Sequence, residues 1–316
     1  MSSVGGRVSI EVFLVMEKKT VQSKIVTLEK LPVWYRRYGN SRIKTGYFYY
    51  TNATYLGCLQ KLVKFNNDSI SLYMNLVCGL ISGVMLLFYT DVRLIPSHPS
   101  TTMTDYIIIN LFLMATTTYF ATMTLGQLLK GHSEYQGKLW NQAKQLALVL
   151  LLTCSIVTLL YYAFFDHVFL FKLFVIWTCL LMSITSIVII NDQYKRVQKL
   201  SCVVIFGVLS ISLPIAVSII KFGLFDSYKK QRIPFQVLTW EIVLYSLSAM
   251  LQLTRLPELT LSTLGDSFWI VDYLGNSDQV SQLVTIFAII VHFNTIIFAY
   301  EVVHASIHVP PMISFK

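Results

Sequence analysis

Residues 283–300 read LVTIFAIIVHFNTIIFAY, a stretch without a charged side chain. Apolar residues extend on both sides of it, so that the run covers about 281–303. A helix rises 1.5 Å per residue, and the hydrocarbon core of a bilayer is about 30 Å thick. We therefore predict that this stretch forms a helix that crosses a membrane.

Six further runs of this kind precede it. All seven lie at about 70–90, 105–128, 145–165, 168–190, 200–220, 235–254 and 281–303. The composition agrees, because 55% of the residues are hydrophobic and only 13% are charged, against about 25% charged residues in soluble domains. We predict an all-α membrane protein that folds as a seven-transmembrane helix bundle.

Three regions follow from this assignment. Residues 1–66 are expected to form a cytosolic N-terminal region, loosely ordered over 1–30 and membrane-proximal over 31–66. Residues 67–304 form the seven-helix domain, and 305–316 a short external tail. The net charge of +9 comes mainly from Lys and Arg before the first span and in the loops on the same side, which predicts a cytosolic N-terminus and an external or lumenal C-terminus. We expect contact with anionic lipids rather than nucleic acid, and an endomembrane such as the endoplasmic reticulum rather than the plasma membrane.

Three ionisable residues within the predicted spans are informative, because charge is costly there. Lys172 lies near the end of its span, from which its side chain can reach the headgroups. Glu241 lies deeper and is expected to be hydrogen-bonded within the bundle. His292 is expected to make a hydrogen bond between helices. The roles of all three stay open at this point.

A second group of ionisable residues lies at the far end of the seventh span. Glu301, His304 and His308 are spaced for one helical face, and with His98 and His167 they form a speculative external metal site. Unliganded histidines are the commoner alternative, because coordination needs a converging third ligand.

Polar residues from different spans meet at the opposite, cytosolic face of the predicted bundle. Four of them end or begin spans two, three and seven, and two lie at the start of span one: Gln127, Lys144, Asp278, Gln282, Asp68 and Asn75. The start of span seven also resembles an ordinary capped helix, since Asn276 and Gln279 have capping-box spacing and Asp278 suits the positive helix end.

The chain resembles the adiponectin-receptor-like proteins, also called the progestin and AdipoQ receptor or hemolysin III-type family, and especially its fungal Izh branch, which is tied to zinc homeostasis. The resemblance rests on the order and spacing of five segments: LPVWYRRYGNSRIKTGYF (31–48), NNDSISLYMNL (66–76), GHSEYQGKLW (131–140), TRLPELTLSTLGDSF (254–268) and GNSDQVSQLVTIFAIIVHF (275–293).

The resemblance implies a zinc site at the cytosolic face. In the family, zinc is held by a histidine that ends span two and by two histidines, four residues apart, that open span seven. A nearby acid positions water, and some members resemble lipid amide hydrolases. This chain has different residues at each of these positions: Gln127, Lys144 for the acid, Asp278 and Gln282. Asp68 replaces a glutamate, and Asn75 a histidine.

Glutamine is a poor zinc ligand, a lysine brings positive charge towards the cation, and one carboxylate does not make a zinc site. We therefore expect no zinc cofactor and no hydrolytic centre, and we hypothesise that an ion pair between Asp278 and Lys144 replaces the metal. The resemblance then implies a non-catalytic protein of zinc and membrane lipid or sterol homeostasis, which binds a lipid or sterol or forms homo- or hetero-oligomers with relatives. The alternative is a zinc-dependent, ceramidase-like lipid amide hydrolase with unorthodox ligands. A transporter is less favoured, because intramembrane charges are few.

Overall fold

The computed structural model describes residues 24–38, 42–49, 54–222, 235–261 and 270–307. Seven long helices dominate it: α1 (Ser69–Tyr89), α2 (Met103–Leu129), α3 (Glu134–Ala163), α4 (Val168–Ile190), α5 (Arg196–Phe222), α6 (Phe235–Thr254) and α7 (Ser277–Ile307). A π-helical turn, Thr90–Leu94, extends α1. The short helical segments are Leu28–Lys30, Val33–Tyr38, Tyr55–Leu59, Gln60–Leu62, Ile95–Ser97, Glu258–Leu261 and Ile270–Tyr273.

Six of these helices are long and apolar enough to span a membrane within the described part of the chain. They are Ser69–Leu94, Met103–Leu129, Glu134–Ala163, Val168–Ile190, Val197–Val217 and Ser277–Ala305. This confirms an all-α, multi-pass membrane protein. α6 lies where the sixth span was expected, and its 20 residues reach about 30 Å. The count of seven spans and their orientation remain predictions.

Neighbouring helices in the chain also pack side by side, and α7 lies among α1, α2, α3 and α6. The main core is formed where α7 meets α2 and α3, with Phe112, Tyr162, Ile296 and Tyr300 almost completely buried. Large apolar side chains on the outside of the bundle are exposed instead, for example Leu80, Phe169 and Ile187. In a chain with these spans, such residues face lipid.

Local signals fix where the helices begin. The Thr102 side chain accepts a hydrogen bond from Asp105 N, and the Asp105 side chain accepts one in return from Thr102 N, which makes a capping box. Ser133 caps α3 by accepting from Gln136 N. Such caps satisfy amide groups that have no partner within the helix.

The described part of the N-terminal region is folded. Strands β1 (Lys24–Val26) and β2 (Tyr47–Tyr49) pair antiparallel, with Ile25 opposite Phe48. A small cluster of Leu31, Tyr35, Ile43 and Tyr47 is buried beside them. Within the segment expected to be loosely ordered, residues 24–30 thus form a strand and a 3₁₀ turn, because a distant strand supplies their hydrogen bonds. Residues 1–23 lie outside the described residues.

Candidate functional site

The polar positions singled out in the sequence line one cavity. This polar cavity has a volume of about 140 Å³ and lies at the end of the bundle where α2 ends and α7 begins. The residues that were singled out and line it are Asp68, Gln127, Lys144, Asp278 and Gln282. Asn75 is fully buried, and its Nδ2 donates to Gln127 Oε1 over 3.4 Å. The structure therefore brings all six residues into one layer.

Two buried amide groups in this layer each have one atom without a hydrogen-bond partner. Gln282 Nε2 and Asn75 Oδ1 are both buried without a partner among the described residues. The other end of the Gln282 amide, Oε1, accepts from the Tyr119 hydroxyl at 3.5 Å. Buried polar groups are nearly always satisfied in proteins. The Gln282 amide, which lines the cavity, is thus suited to meet a polar ligand atom there.

Asp68 is the electrostatic centre of the cavity wall. Its carboxylate lies 2.5 Å from Lys61 Nζ and 2.7 Å from Lys130 Nζ. Lys61 Nζ also donates to the backbone oxygen of Gln127 over 2.8 Å. This clamp joins the segment that precedes α1 to the end of α2, and it holds Gln127 in place.

Burial and pairing change the pKa values of the clamp in opposite directions. Burial lowers the pKa of Lys61 to about 8, against the raising effect of the Asp68 carboxylate. Burial alone would raise the pKa of Asp68, but the ammonium groups of Lys130 and Lys61 outweigh it and keep that pKa well below its usual range. For Lys130, burial acts to lower the pKa, and the Asp68 carboxylate raises it above the usual value nonetheless.

Lys144 and Asp278 both line the cavity, but the ion pair observed for Asp278 is formed with Arg255. Asp278 Oδ1 accepts from Arg255 Nη1 over 3.1 Å. The Lys144 stem packs over Gly126, where an added Cβ would come within 3.0 Å of Lys144 Cδ. The hypothesised Asp278–Lys144 pair therefore stays a prediction, and Arg255 is a partner that the sequence did not indicate.

The donor set does not suit a zinc ion. Zinc prefers histidine, cysteine and carboxylate ligands, and among the residues that the structure describes the wall of the polar cavity includes neither histidine nor cysteine. Its two carboxylates already face cations, Asp68 with two lysines and Asp278 with Arg255. Gln127 and Gln282 contribute only neutral amide oxygens. A zinc-free site remains a proposal, supported by this chemistry.

Segments before α1 and before α7 close the cavity from the loop side. The Asp272 carboxylate accepts from Thr45 N at 2.9 Å and from Thr45 Oγ1 at 2.7 Å. Gly46 has a φ of +82°, and a Cβ there would meet the Tyr273 ring at 2.9 Å. Gln279 Nε2 donates to Asn67 O over 3.2 Å. Glycine is thus required at position 46 both by its backbone conformation and by the close approach of the ring.

A larger apolar pocket adjoins the polar cavity. It has a volume of about 330 Å³ and is lined mainly by α3, α5 and α6. The two spaces share Tyr119, Leu148, Leu200, Val203 and Gln252 as wall residues, so they lie next to each other within the bundle.

Glu241 and His292 belong to the wall of the apolar pocket. His292 Nδ1 lies 2.9 Å from Glu241 Oε2, and His292 Nε2 lies 3.3 Å from Thr158 Oγ1. Thr295 Oγ1 donates to Glu241 Oε1 over 2.8 Å. Both expectations from the sequence are met: Glu241 is hydrogen-bonded within the bundle, and His292 bonds between helices. Lys172 is exposed on the outside of α4.

Comparison with known proteins decides the family. A family described as haemolysin-III related matches residues 64–293, which is most of the helical domain. The chain belongs to the haemolysin-III-related family. It is 30% identical over 270 residues to ADIPOR-like receptor IZH4 of Saccharomyces cerevisiae, covering 83% of this chain and 85% of that protein. It is 27% identical to ADIPOR-like receptor IZH1 of Eremothecium gossypii (94% and 91% covered) and 27% identical to ADIPOR-like receptor IZH2 of S. cerevisiae (95% and 91%).

Residues of the speculative external metal site lie at the opposite end of this haemolysin-III-related chain. Glu301 is exposed, whereas His304 is fully buried. His304 Nδ1 lies 2.8 Å from Ser100 Oγ, and its Nε2 lies 3.3 Å from Asp105 Oδ2. Among the described residues, no three His, Cys, Asp or Glu side chains are grouped to hold a metal, and His308 lies outside them. His304 is directed towards Asp105 of α2, and the speculative external metal site stays a prediction.

Several residues of the site were missed from the sequence. Lys61 and Lys130 clamp Asp68, and Arg255 pairs with Asp278. Glu258 Oε1 accepts from Ser277 N at 2.8 Å and so caps α7 from another segment. Their positions just outside the apolar runs gave a weak signal, but none of these partners could be assigned without the tertiary structure.

Proposed function

We propose that this haemolysin-III-related protein is a non-catalytic lipid-binding membrane protein. The observation that carries the proposal is that the polar cavity lies directly beside the apolar pocket, with Tyr119 and Gln252 among the wall residues that both share. A polar space next to an apolar one matches the two parts of an amphiphilic lipid, since pockets orient ligands with a few polar groups in an otherwise apolar wall.

Charge around the polar cavity favours an anionic head group. The cations Lys61, Lys130, Lys144 and Arg255 line the cavity or pair with its wall, against the carboxylates of Asp68 and Asp278. A carboxylate or phosphate head would add negative charge where positive charge is in excess, and the unsatisfied Gln282 amide would donate to it.

Side access supports a lipid rather than a water-soluble ligand. Val204, Val208 and Ile242 line the apolar pocket and are exposed on the outside of the bundle. The pocket therefore opens sideways between α5 and α6, towards the hydrocarbon in which a lipid resides. A transporter is less well supported, because the described ionisable groups do not form a continuous path across the bundle.

The role that we propose in the cell is in zinc and membrane lipid or sterol homeostasis, by lipid binding or by association with relatives, in an endomembrane. Support for this part is the similarity to ADIPOR-like receptors. The alternative, a lipid amide hydrolase, requires a metal-activated water, and the residues of the polar cavity do not suit the metal. Ceramide turnover by the purified protein would favour that alternative.

Gly207 provides the means to test lipid binding. It lines the apolar pocket, and a Cβ added there meets nothing within 4 Å. Gly207→Phe is therefore designed to place a ring in the pocket from a position where the added Cβ meets no neighbour, and Gly207→Ala adds only one methyl group as the matched control. Native mass spectrometry of the purified proteins should show co-purifying lipid on the wild type and Gly207→Ala, and much less on Gly207→Phe. Equal lipid retention by all three proteins would contradict the proposal.

A further inference from the structure

α6 presents two polar groups to the apolar pocket, one helical turn apart. Glu241 and Tyr245 both line it, and residues four apart on a helix are neighbours on one face, with about 5–6 Å between their Cβ atoms. The surrounding wall is largely apolar, with Leu152, Ile156 and Ile211 among its residues. Polar groups at this depth are costly and are commonly functional.

Glu241 has accepting capacity left over. Its two carboxyl oxygens take one contact each, from His292 Nδ1 and from Thr295 Oγ1. An ionised carboxylate offers about four lone-pair sites. The Glu241 side chain is held in place by the two contacts on α7, and it can still accept a hydrogen bond from the pocket.

Tyr245 has the complementary donor. Its hydroxyl is buried and makes no hydrogen bond of good geometry among the described residues, although it lies near Ser155, whose own hydroxyl donates to Leu151 O. A buried tyrosine hydroxyl usually finds a partner, and leaving it unpaired is unfavourable. One wall of the pocket thus carries a spare acceptor and a spare donor side by side.

We infer that the apolar pocket recognises a lipid with a hydroxyl group in the middle of its chain, which donates to Glu241 and accepts from Tyr245. A hydroxyl group is the chemical match, because it is a donor and an acceptor on one atom. This inference rests on the proposed lipid-binding function and specifies the class of lipid: a hydroxylated acyl chain with an anionic head.

The distance between Gln282 and His292 along α7 gives the expected position of the hydroxyl group on the lipid chain. The head group binds near Gln282, and Glu241 contacts His292, which is ten residues further along α7. At 1.5 Å per residue this separation is about 15 Å. A carboxylate and a hydroxyl group that are about a dozen carbons apart on an extended chain span a similar distance.

The test compares three fatty acids on the full-length protein in nanodiscs: stearate, 12-hydroxystearate and 2-hydroxystearate. One additional net hydrogen bond should make 12-hydroxystearate bind about 5- to 10-fold more tightly than stearate. The hydroxyl group of 2-hydroxystearate lies beside the head group and should give no such gain. In Tyr245→Phe, the preference for 12-hydroxystearate over stearate should fall towards parity, while stearate affinity is kept.

The outcomes separate the two proposals. If stearate and 12-hydroxystearate bind the wild type equally well, the inference is overturned and the proposed function stands. The same holds if 2-hydroxystearate shows an equal gain. If none of the three fatty acids binds, both the proposed function and the inference are overturned. Stearate affinity in Tyr245→Phe reports whether that variant is folded, and Tyr135→Phe, at an exposed tyrosine in the first turn of α3, is the matched control. The wild-type ratio decides the question even if the variant does not fold.

Discussion

At the scale of single residues, Asp68 has an unusual charge environment for the edge of a membrane bundle. It lies between two ammonium groups, those of the buried Lys61 and of Lys130. Removing one member of a buried charge cluster leaves the others uncompensated, which costs more than the cluster itself contributes. The clamp should therefore be sensitive to loss of the carboxylate.

We predict that Asp68→Asn lowers the free energy of unfolding by about 3 kcal/mol, because Lys61 and Lys130 then repel each other without a counter-charge. The measurement is denaturant or thermal unfolding in detergent. The matched control is Asp192→Asn, which removes the exposed pair with Lys138 and should change stability by less than about 1 kcal/mol. Similar losses of stability in both variants would show that the buried Asp68 clamp contributes no more than an exposed ion pair.

The lowered pKa of Lys61 predicts a rise in stability with pH. Between about 8, its folded value, and 10.5, its ordinary value, the unfolded chain holds a proton that the folded chain has released. Unfolding becomes harder as pH rises through this window, by at most about 1.4 kcal/mol per pH unit. Relative to Lys61→Met, the wild type should gain stability from pH 8 to pH 10. Lys64→Met, at an exposed lysine, controls for the new methionine, and parallel pH profiles of wild type and Lys61→Met would refute the prediction.

At the scale of elements, the first turn of α7 positions Asp278 and Gln282. Asn276 Oδ1 accepts from Gln279 N over 3.0 Å, as the capping-box spacing predicts. The return bond differs, since Gln279 Oε1 accepts from Gly275 N at 2.7 Å. Glu258 adds bonds from Ser277 N and Ser277 Oγ. The local cap could be read from the sequence, whereas the cap by Glu258 is a tertiary contact.

We predict that Glu258→Ala destabilises the start of α7 by about 1–2 kcal/mol, the usual cost of losing a helix cap. Hydrogen exchange of the backbone amides at 277–280 should become faster, while the middle of α7 stays protected. Glu29→Ala, at an exposed glutamate, is the control. Unchanged exchange at 277–280 would mean that Asn276 caps the helix alone.

At the scale of the whole molecule, apolar runs predicted the long helices because each run must bury its backbone polar groups within itself in a membrane. Five of the six helices that are long and apolar enough to span a membrane begin and end within several residues of the predicted bounds, whereas Glu134–Ala163 begins well before the predicted 145. The layer of Gln127, Lys144, Asp278 and Gln282 also followed from the order of the spans. The ion pair of Asp278 did not follow from the sequence. Its partner is Arg255, which adopts a left-handed conformation just beyond α6. The external metal site stays a prediction, and helical spacing alone did not reveal Asp105 as a buried neighbour of His304.

The central claim is that the layer around Gln127, Asp278 and Gln282 has lost zinc and kept a lipid-binding cavity. Elemental analysis of the purified protein tests it most directly, with a variant in which Gln127→His, Asp278→His and Gln282→His are combined as the comparison. Three converging imidazoles are a sufficient zinc ligand set, so the variant should hold about one zinc ion per chain and the wild type far less. About one zinc ion per chain in the wild type would contradict the claim.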